Sequence, residues 1–112
     1  MELRAIIRVD FGAKGRLGPG KTQLLELIGE TGSISGAARR MEMSYRRAWL
    51  LVDELNELFG KPVVETMAGG AGGGGATVTD FGRQVVRAFR EMESQANELA
   101  KVHMTNLKQR DT

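Results

Sequence analysis

The chain opens with an alternating pattern. In "LRAIIRVDF" Leu3, Ala5, Ile7, Val9 and Phe11 fall on one side, with Arg4, Arg8 and Asp10 among the residues between them. A period of two marks a strand with one covered and one wet face, so a strand is predicted here. The rhythm then changes. "GRLGPGKTQLLELIGETG" reads as a turn followed by a helix, because Pro19 suits a first helical turn, where its missing N–H would be unpaired anyway. Gly29 and Gly32 are expected to close that helix. Ser33 is a natural N-cap for a short helix with Ile34, Ala37, Ala38 and Met41 inward, and Ser44 for a second with Ala48, Leu51, Val52, Leu55 and Phe59 inward. Two short helices joined by a tight turn, with small alanines at the crossing, predict a helix-turn-helix over about residues 33–59.

Beyond Gly60 and Pro62, Val63 and Val64 begin a short strand and Ala76 and Val78 fit a second, with the glycine run 69–75 between them. This is a hairpin with a glycine-rich tip, a wing over about residues 62–78, and glycine there lets backbone approach another surface closely. Thr79 then caps a long helix over about residues 79–108, with Asp80 in the first turn where the helix dipole favours an acid. Val85, Phe89, Met92, Ala96 and Leu99 recur at steps of four and three. That seam suits a partner helix, and no other segment is left to cover its far end, so a homodimer is expected. The fold class is α+β, mainly α: a winged helix-turn-helix with an N-terminal strand, a two-stranded wing and a long C-terminal dimerisation helix, all one domain over 1–112.

One stretch competes with this picture. "GRLGPGKT", Gly15 to Thr22, matches GxxxxGK[ST], the loop that cradles phosphates in many nucleotide hydrolases. Such a loop needs a buried parallel strand before it and a helix after it. The preceding strand has a wet face, Gly12 to Lys14 separate it from the motif, and no further buried strands exist to build a sheet. With 15 glycines in 112 residues the spacing is met by chance, and the stretch is expected to be inert.

Composition removes other classes. There is no cysteine and one histidine, His103, so neither a disulfide framework nor a metal cluster is expected. No apolar run approaches the ~20 residues that span a bilayer, and charges interrupt the N-terminal segment where a signal peptide needs apolar residues; a cytoplasmic protein with no membrane partner and no cofactor is expected. The net charge of +2 says little, but its distribution says more: four arginines and one acid, Glu42, lie between Ser33 and Arg47. A local basic cluster is what a phosphate-binding surface needs.

The residues "GSISGAARRMEMSYRRAWLLVDELN", followed by "GGAGGGGATVTDFG", resemble the N-terminal DNA-binding domain of the molybdate-responsive regulators, the ModE family, which is related to the LysR-type domain. Val78 stands where the family's wing pattern usually has Leu. The resemblance covers about residues 1–100 and implies a prokaryotic transcription regulator whose homodimer reads a palindromic operator in double-stranded DNA. Family members often carry C-terminal oxyanion-binding domains; with 112 residues this chain is expected to lack the molybdate-binding domain, leaving room for a separate effector-sensing protein.

On that scaffold the helix after Ser44 enters the major groove and presents Tyr45, Arg46 and Arg47 first. Arg46 and Arg47 are candidates for bidentate guanine contacts; Ser44 is a further DNA-contact candidate, and so is Trp49, one turn beyond Tyr45, as a sugar-phosphate contact or else a half-buried packing residue. Ser33, Ser35, Arg39 and Arg40 are candidates for phosphate contacts, and Thr66 with Gly72, Gly73 and Gly74 for the adjacent backbone or minor groove. Val85, Phe89, Met92, Ala96 and Leu99 are the candidate dimer interface. A winged helix that binds only protein is the alternative, and it leaves the arginine cluster without a purpose; a nucleotide-hydrolysing enzyme lacks both the sheet and a general base in any recognisable setting, so no enzyme is expected.

Overall fold

The computed structural model describes residues 2–70 and 73–110. In chain order it runs through β1 (Val9–Asp10), a 3-10 turn (Gly12–Lys14), β2 (Arg16–Leu17), α1 (Pro19–Thr31), α2 (Ile34–Arg40), α3 (Tyr45–Leu58), β3 (Val64–Gly70), β4 (Gly73–Val78) and α4 (Asp80–Arg110). Both sheets are two-stranded and antiparallel.

The N-terminal expectation needs correction. Leu3, Ala5, Ile7 and Val9 are half-buried and the residues between them exposed, so the period of two is real. Yet only Val9 and Asp10 are in a ladder, paired with Leu17 and Arg16. Alternation reports which side is covered, not which backbone is hydrogen-bonded, and the partner strand is cut short where Pro19 starts α1. The earlier residues lie along α4 instead, where the Ala5 N–H donates to Asn97 Oδ1 at 2.7 Å. A second correction concerns Gly29, which stands inside α1. Gly32 alone closes the helix, at φ +74°, its N–H donating to the Ile28 carbonyl at 2.8 Å.

The helix pair forms as its caps dictate. Ser33 Oγ accepts the Gly36 N–H at 2.9 Å and Ser44 Oγ accepts the Arg47 N–H at 3.0 Å. Between them the chain turns through paired bonds from Met43 N–H to Ala38 O and from Glu42 N–H to Arg39 O, the Schellman arrangement. Its left-handed position is held by Glu42, at φ +56°, instead of by glycine. Ala37, Ala38 and Ala48 are fully covered at the crossing and pack with Leu24, Leu25 and Ile28 of α1 and Val52 and Leu55 of α3.

The root of the wing is tied from two sides. Asn56, on α3, accepts the N–H groups of Val63 and Val64 on Oδ1 at 2.8 and 3.2 Å. Thr79 donates its hydroxyl to the Pro62 carbonyl and its N–H to the Val63 carbonyl, at 2.8 and 3.0 Å, while its Oγ1 caps α4 by accepting the Gly82 N–H at 2.9 Å. Higher up, the Ala76 N–H donates to the Gly32 carbonyl at 2.9 Å and fixes β4 against the α1–α2 junction.

The start of α4 belongs to the same core. Phe89 is fully buried and Val85 nearly so. These two residues of the expected dimer seam therefore cannot face a partner, because α1 and the wing root already cover them. Arg90 adds a polar tie between α4 and α1: Nε and Nη2 donate to Glu26 at 3.2 and 2.7 Å, and Nη1 donates to Glu93 at 2.6 Å. The hydrogen bonds to Glu26, then to Glu93, raise the Arg90 pKa above its ordinary value. Arginine is charged throughout the working range in any case, so the raised value of Arg90 confers no pH dependence there.

At buried Gly82 there is no room for a side chain. A β-carbon built there would lie 2.3 Å from the Val63 carbonyl oxygen and 2.7 Å from Val78 Cγ1. Helix propensity alone says Gly82→Ala should stabilise by about 1 kcal/mol, whereas a clash with backbone should destabilise by roughly 1–3 kcal/mol. We expect the clash to dominate and the melting temperature to fall; a rise would show that the wing root gives way freely.

Candidate nucleic-acid interface

Five of the residues singled out from sequence meet in one place. Ser33 and Ser35 from the start of α2, Tyr45 and Trp49 from the first turns of α3, and Thr66 from β3 line a hollow of about 150 Å3 between the helix pair and the wing. Tyr45 and Trp49 meet edge to face, with ring centres 6.1 Å apart and an interplanar angle of 82°. Tyr45 is 54% exposed and Trp49 half-buried, so one ring is anchored and the other stands out. Thr66 pairs across the wing with Ala76 and Met67 with Gly75. Gly73 and Gly74 stand in β4; Gly72 lies outside the described residues.

The arginines do not converge on that hollow. Arg46 is exposed at the tip of α3. Arg47 lines a different pocket, of about 370 Å3, on the side of α3 that faces the beginning of α1. Arg39 and Arg40 sit at the C-terminal end of α2, remote from its cap, and Arg40 Nη1 stands 4.0 Å from Glu30 of α1. The serine oxygens of Ser33 and Ser44 are engaged as caps, which leaves each hydroxyl hydrogen as the group available to an acceptor.

Residues 21–83, spanning α1 through the first turn of α4, match the model of the bacterial regulatory helix-turn-helix proteins of the LysR family. The chain belongs to this family. Among curated relatives it is 42% identical over 91 residues to the molybdenum-pterin-binding protein MopB of Rhodobacter capsulatus, covering 81% of this chain and 33% of that protein. It is 33% identical over 89 residues to the DNA-binding transcriptional dual regulator ModE of Escherichia coli K12, covering 80% and 34%. The chain thus spans about a third of the length of these relatives, and the resemblance to the ModE winged helix-turn-helix seen in its motifs is shown. Among solved structures, VV2_1132, a LysR family transcriptional regulator, superposes with a TM-score of 0.58 at 16% identity over 76% of this chain and 27% of that one, a likeness of fold.

Two exposed apolar residues of this LysR-type domain carry no mark in the hydrophobic pattern of the sequence. Leu50 is 53% exposed on α3, one turn beyond Arg46, and Met67 is 59% exposed on the wing. The only available signal is that each departs from the inward positions of its element. No helix among the described residues is long and apolar enough to cross a membrane, and no cluster of metal-ligating side chains occurs among them.

The stretch that imitates a phosphate loop is folded differently from one. Arg16 and Leu17, in its middle, form β2 in an antiparallel ladder, and the Phe11 N–H donates to the Gly15 carbonyl at 2.8 Å. Lys21 Nζ is held by Glu54 and by the Arg16 carbonyl, each at 2.8 Å. Lys21 is thus engaged within the protein, unlike the lysine that such a loop directs at the terminal phosphates. Titration calorimetry with Mg-ATP and Mg-GTP is expected to show no binding; micromolar affinity lost in Lys21→Ala would revive a nucleotide-binding function.

Proposed function

We propose that the chain is the DNA-binding part of a transcription regulator that acts as a homodimer on a palindromic operator, with the N-terminal turns of α3 in the major groove. The observation that carries this reading is the shared hollow of Ser33, Ser35, Tyr45, Trp49 and Thr66, which sets the first turn of α3 between two polar flanks. A major groove admits one helix, and phosphates on either side then meet the hydroxyls of α2 and the wing. Arg46, and Leu50 one turn on, face outward from the same helix; they suit a guanine edge and a thymine methyl respectively. Ser33, Ser35, Arg39, Arg40 and the wing residues Thr66, Gly73 and Gly74 are assigned to backbone contacts.

The homodimer is supported by what α4 leaves uncovered. The stripe that begins with Val85 and Phe89 in the core continues outward as Met92, half-buried Ala96, and Leu99 at 60% exposure, with Val102, Met104 and Leu107 also exposed. A second copy of the same stripe is the simplest cover, and two-fold pairing gives the two recognition helices the symmetry that a palindrome requires. Sedimentation is expected to give a dimer at tens of micromolar, and Leu99→Asp a monomer with weakened DNA binding. A wild type that stays monomeric and also fails to pair on DNA would remove the basis for paired half-sites.

Selection from a random DNA library tests the division of labour. Alanine at whichever of Arg46 or Arg47 reads a base should cost about 1–3 kcal/mol and relax the preference at one position in each half-site. Arg39→Ala and Arg40→Ala should instead weaken binding to all sequences alike and lower the salt slope by about one unit per lost contact. An unchanged selected sequence in both Arg46→Ala and Arg47→Ala would mean that α3 is not the reader. Salt-independent association would favour a domain that binds only protein.

A further inference from the structure

The pocket that takes Arg47 away from the wing side is lined by two more arginines. Arg8, from the end of the N-terminal segment, and Arg16, from β2, stand around it with the start of α1 as its floor. None of Arg8, Arg16 and Arg47 has a carboxylate within ion-pair distance among the described residues. The neighbouring acids make other contacts, and neither comes within ion-pair distance of these arginines. Glu54 binds Lys21 at 2.8 Å, and Asp10, opposite Arg16 in the ladder, accepts the Gly12 N–H at 2.8 Å. Arg8 crosses close over the chain, for a β-carbon built on Gly18 would lie 3.4 Å from its Nε, while one built on Gly20 would meet nothing within 4 Å. The space beside Gly20 is thus open and rimmed by three guanidiniums in no ion pair among the described residues, and by Lys21, whose charge Glu54 offsets. Three like charges around one hollow repel one another unless an anion sits between them, and the fork of a guanidinium matches a tetrahedral oxyanion.

The geometry points to a phosphate-binding site formed by Arg8, Arg16 and Arg47, which takes a DNA backbone phosphate on the side of α3 opposite the wing. This rests on the reading of α3 as the recognition helix, because Arg47 joins the site to that helix. The wing and the start of α2 hold one flank of α3 and the N-terminal hairpin holds the other, so the LysR-type domain grips the backbone on both sides of the groove. On this assignment Arg47 is a backbone contact, and Arg46 is left to read bases.

The test compares wild type with the double variant Arg8→Gln/Arg16→Gln, using a duplex selected by the wild type and a random duplex of the same length. Both side chains are exposed, so the core is untouched; Arg8→Lys/Arg16→Lys, which keeps the charge, serves as the rescue. The double glutamine variant is expected to bind both duplexes about tenfold more weakly, as loss of a charge-assisted contact implies, and to lose about one unit of the slope of log affinity against log salt. Its selected sequence should be unchanged and the lysine variant should recover most of the slope. An unchanged slope and affinity, with wild type still binding DNA, overturns this proposal alone. Absence of DNA binding by the wild type overturns the reading beneath it as well. Inorganic phosphate supplies the other arm: if millimolar phosphate shifts the Gly18 and Gly20 amide resonances of wild type but not of the variant, while the salt slope is unchanged, the pocket takes the free ion and its assignment to DNA is wrong.

Discussion

The position of three residues, Pro62 to Val64, governs the geometry of this domain. Their backbone is gripped by Asn56 from α3 and by Thr79 from the head of α4, and Gly82 presses against the Val63 carbonyl so closely that no side chain fits between. Buried backbone groups must find partners, and here the partners belong to two different helices. The wing cannot tilt without breaking bonds to both. One polar side chain per helix thereby links α3, the wing and the long helix into one unit.

From that root the rest of the interface follows. Because β3 leaves the clamp beside α3 and β4 returns against Gly32, through the Ala76 N–H, the wing stands over the start of α2. Thr66 is thereby brought to the same hollow as Ser33 and Tyr45, residues far from it in sequence. Trp49, half-buried between the helix pair and the wing, fills the space beneath Tyr45. Each serine cap spends its oxygen on a helix end, so the start of each helix is rigid before any partner arrives, and less ordering entropy is lost on association.

Most of the scaffold was legible because its signals are local. Pro19 at the start of α1, Gly32 at its end, Ser33 and Ser44 as caps, and alanines at the crossing each act through their immediate neighbours, and each element begins or ends where they stand. The failures share a cause. The ladder of the N-terminal segment depends on what lies beside it, and a two-residue partner strand leaves no pattern to read. Asn56 looks like any polar helix residue until the wing root is seen against it. Gly82 likewise carries no local signal that it is the place where the head of α4 meets the Val63 carbonyl. The dimer seam was traced through Val85 and Phe89 because periodicity registers an apolar stripe without telling which half of it the chain itself covers. For the candidate interface, sequence grouped the start of α3 with the wing, which do share a hollow, but also grouped Arg46 with Arg47, which a helix sends to different sides.

The charges at the helix ends separate structural from functional demands. An acid in the first turn of a helix stabilises it by about 0.3–1 kcal/mol through the dipole, and α4, whose head is packed against the wing root, has Asp80 there. The two other long helices, α1 and α3, have none. α3 goes further and carries Arg46 and Arg47 in its first turn, cations set at the positive end of the dipole and unpaired with any acid among the described residues. Folding stability gives no reason for that choice, since an acid would serve it better and tightly packed neighbours would not object at an exposed position. An external anion, such as the phosphate of the proposed function, would offset that cost. A chain with a net charge of just +2 thus sets two adjacent cations at the head of α3, beside the proposed groove, where closely spaced charges act together on a nearby anion.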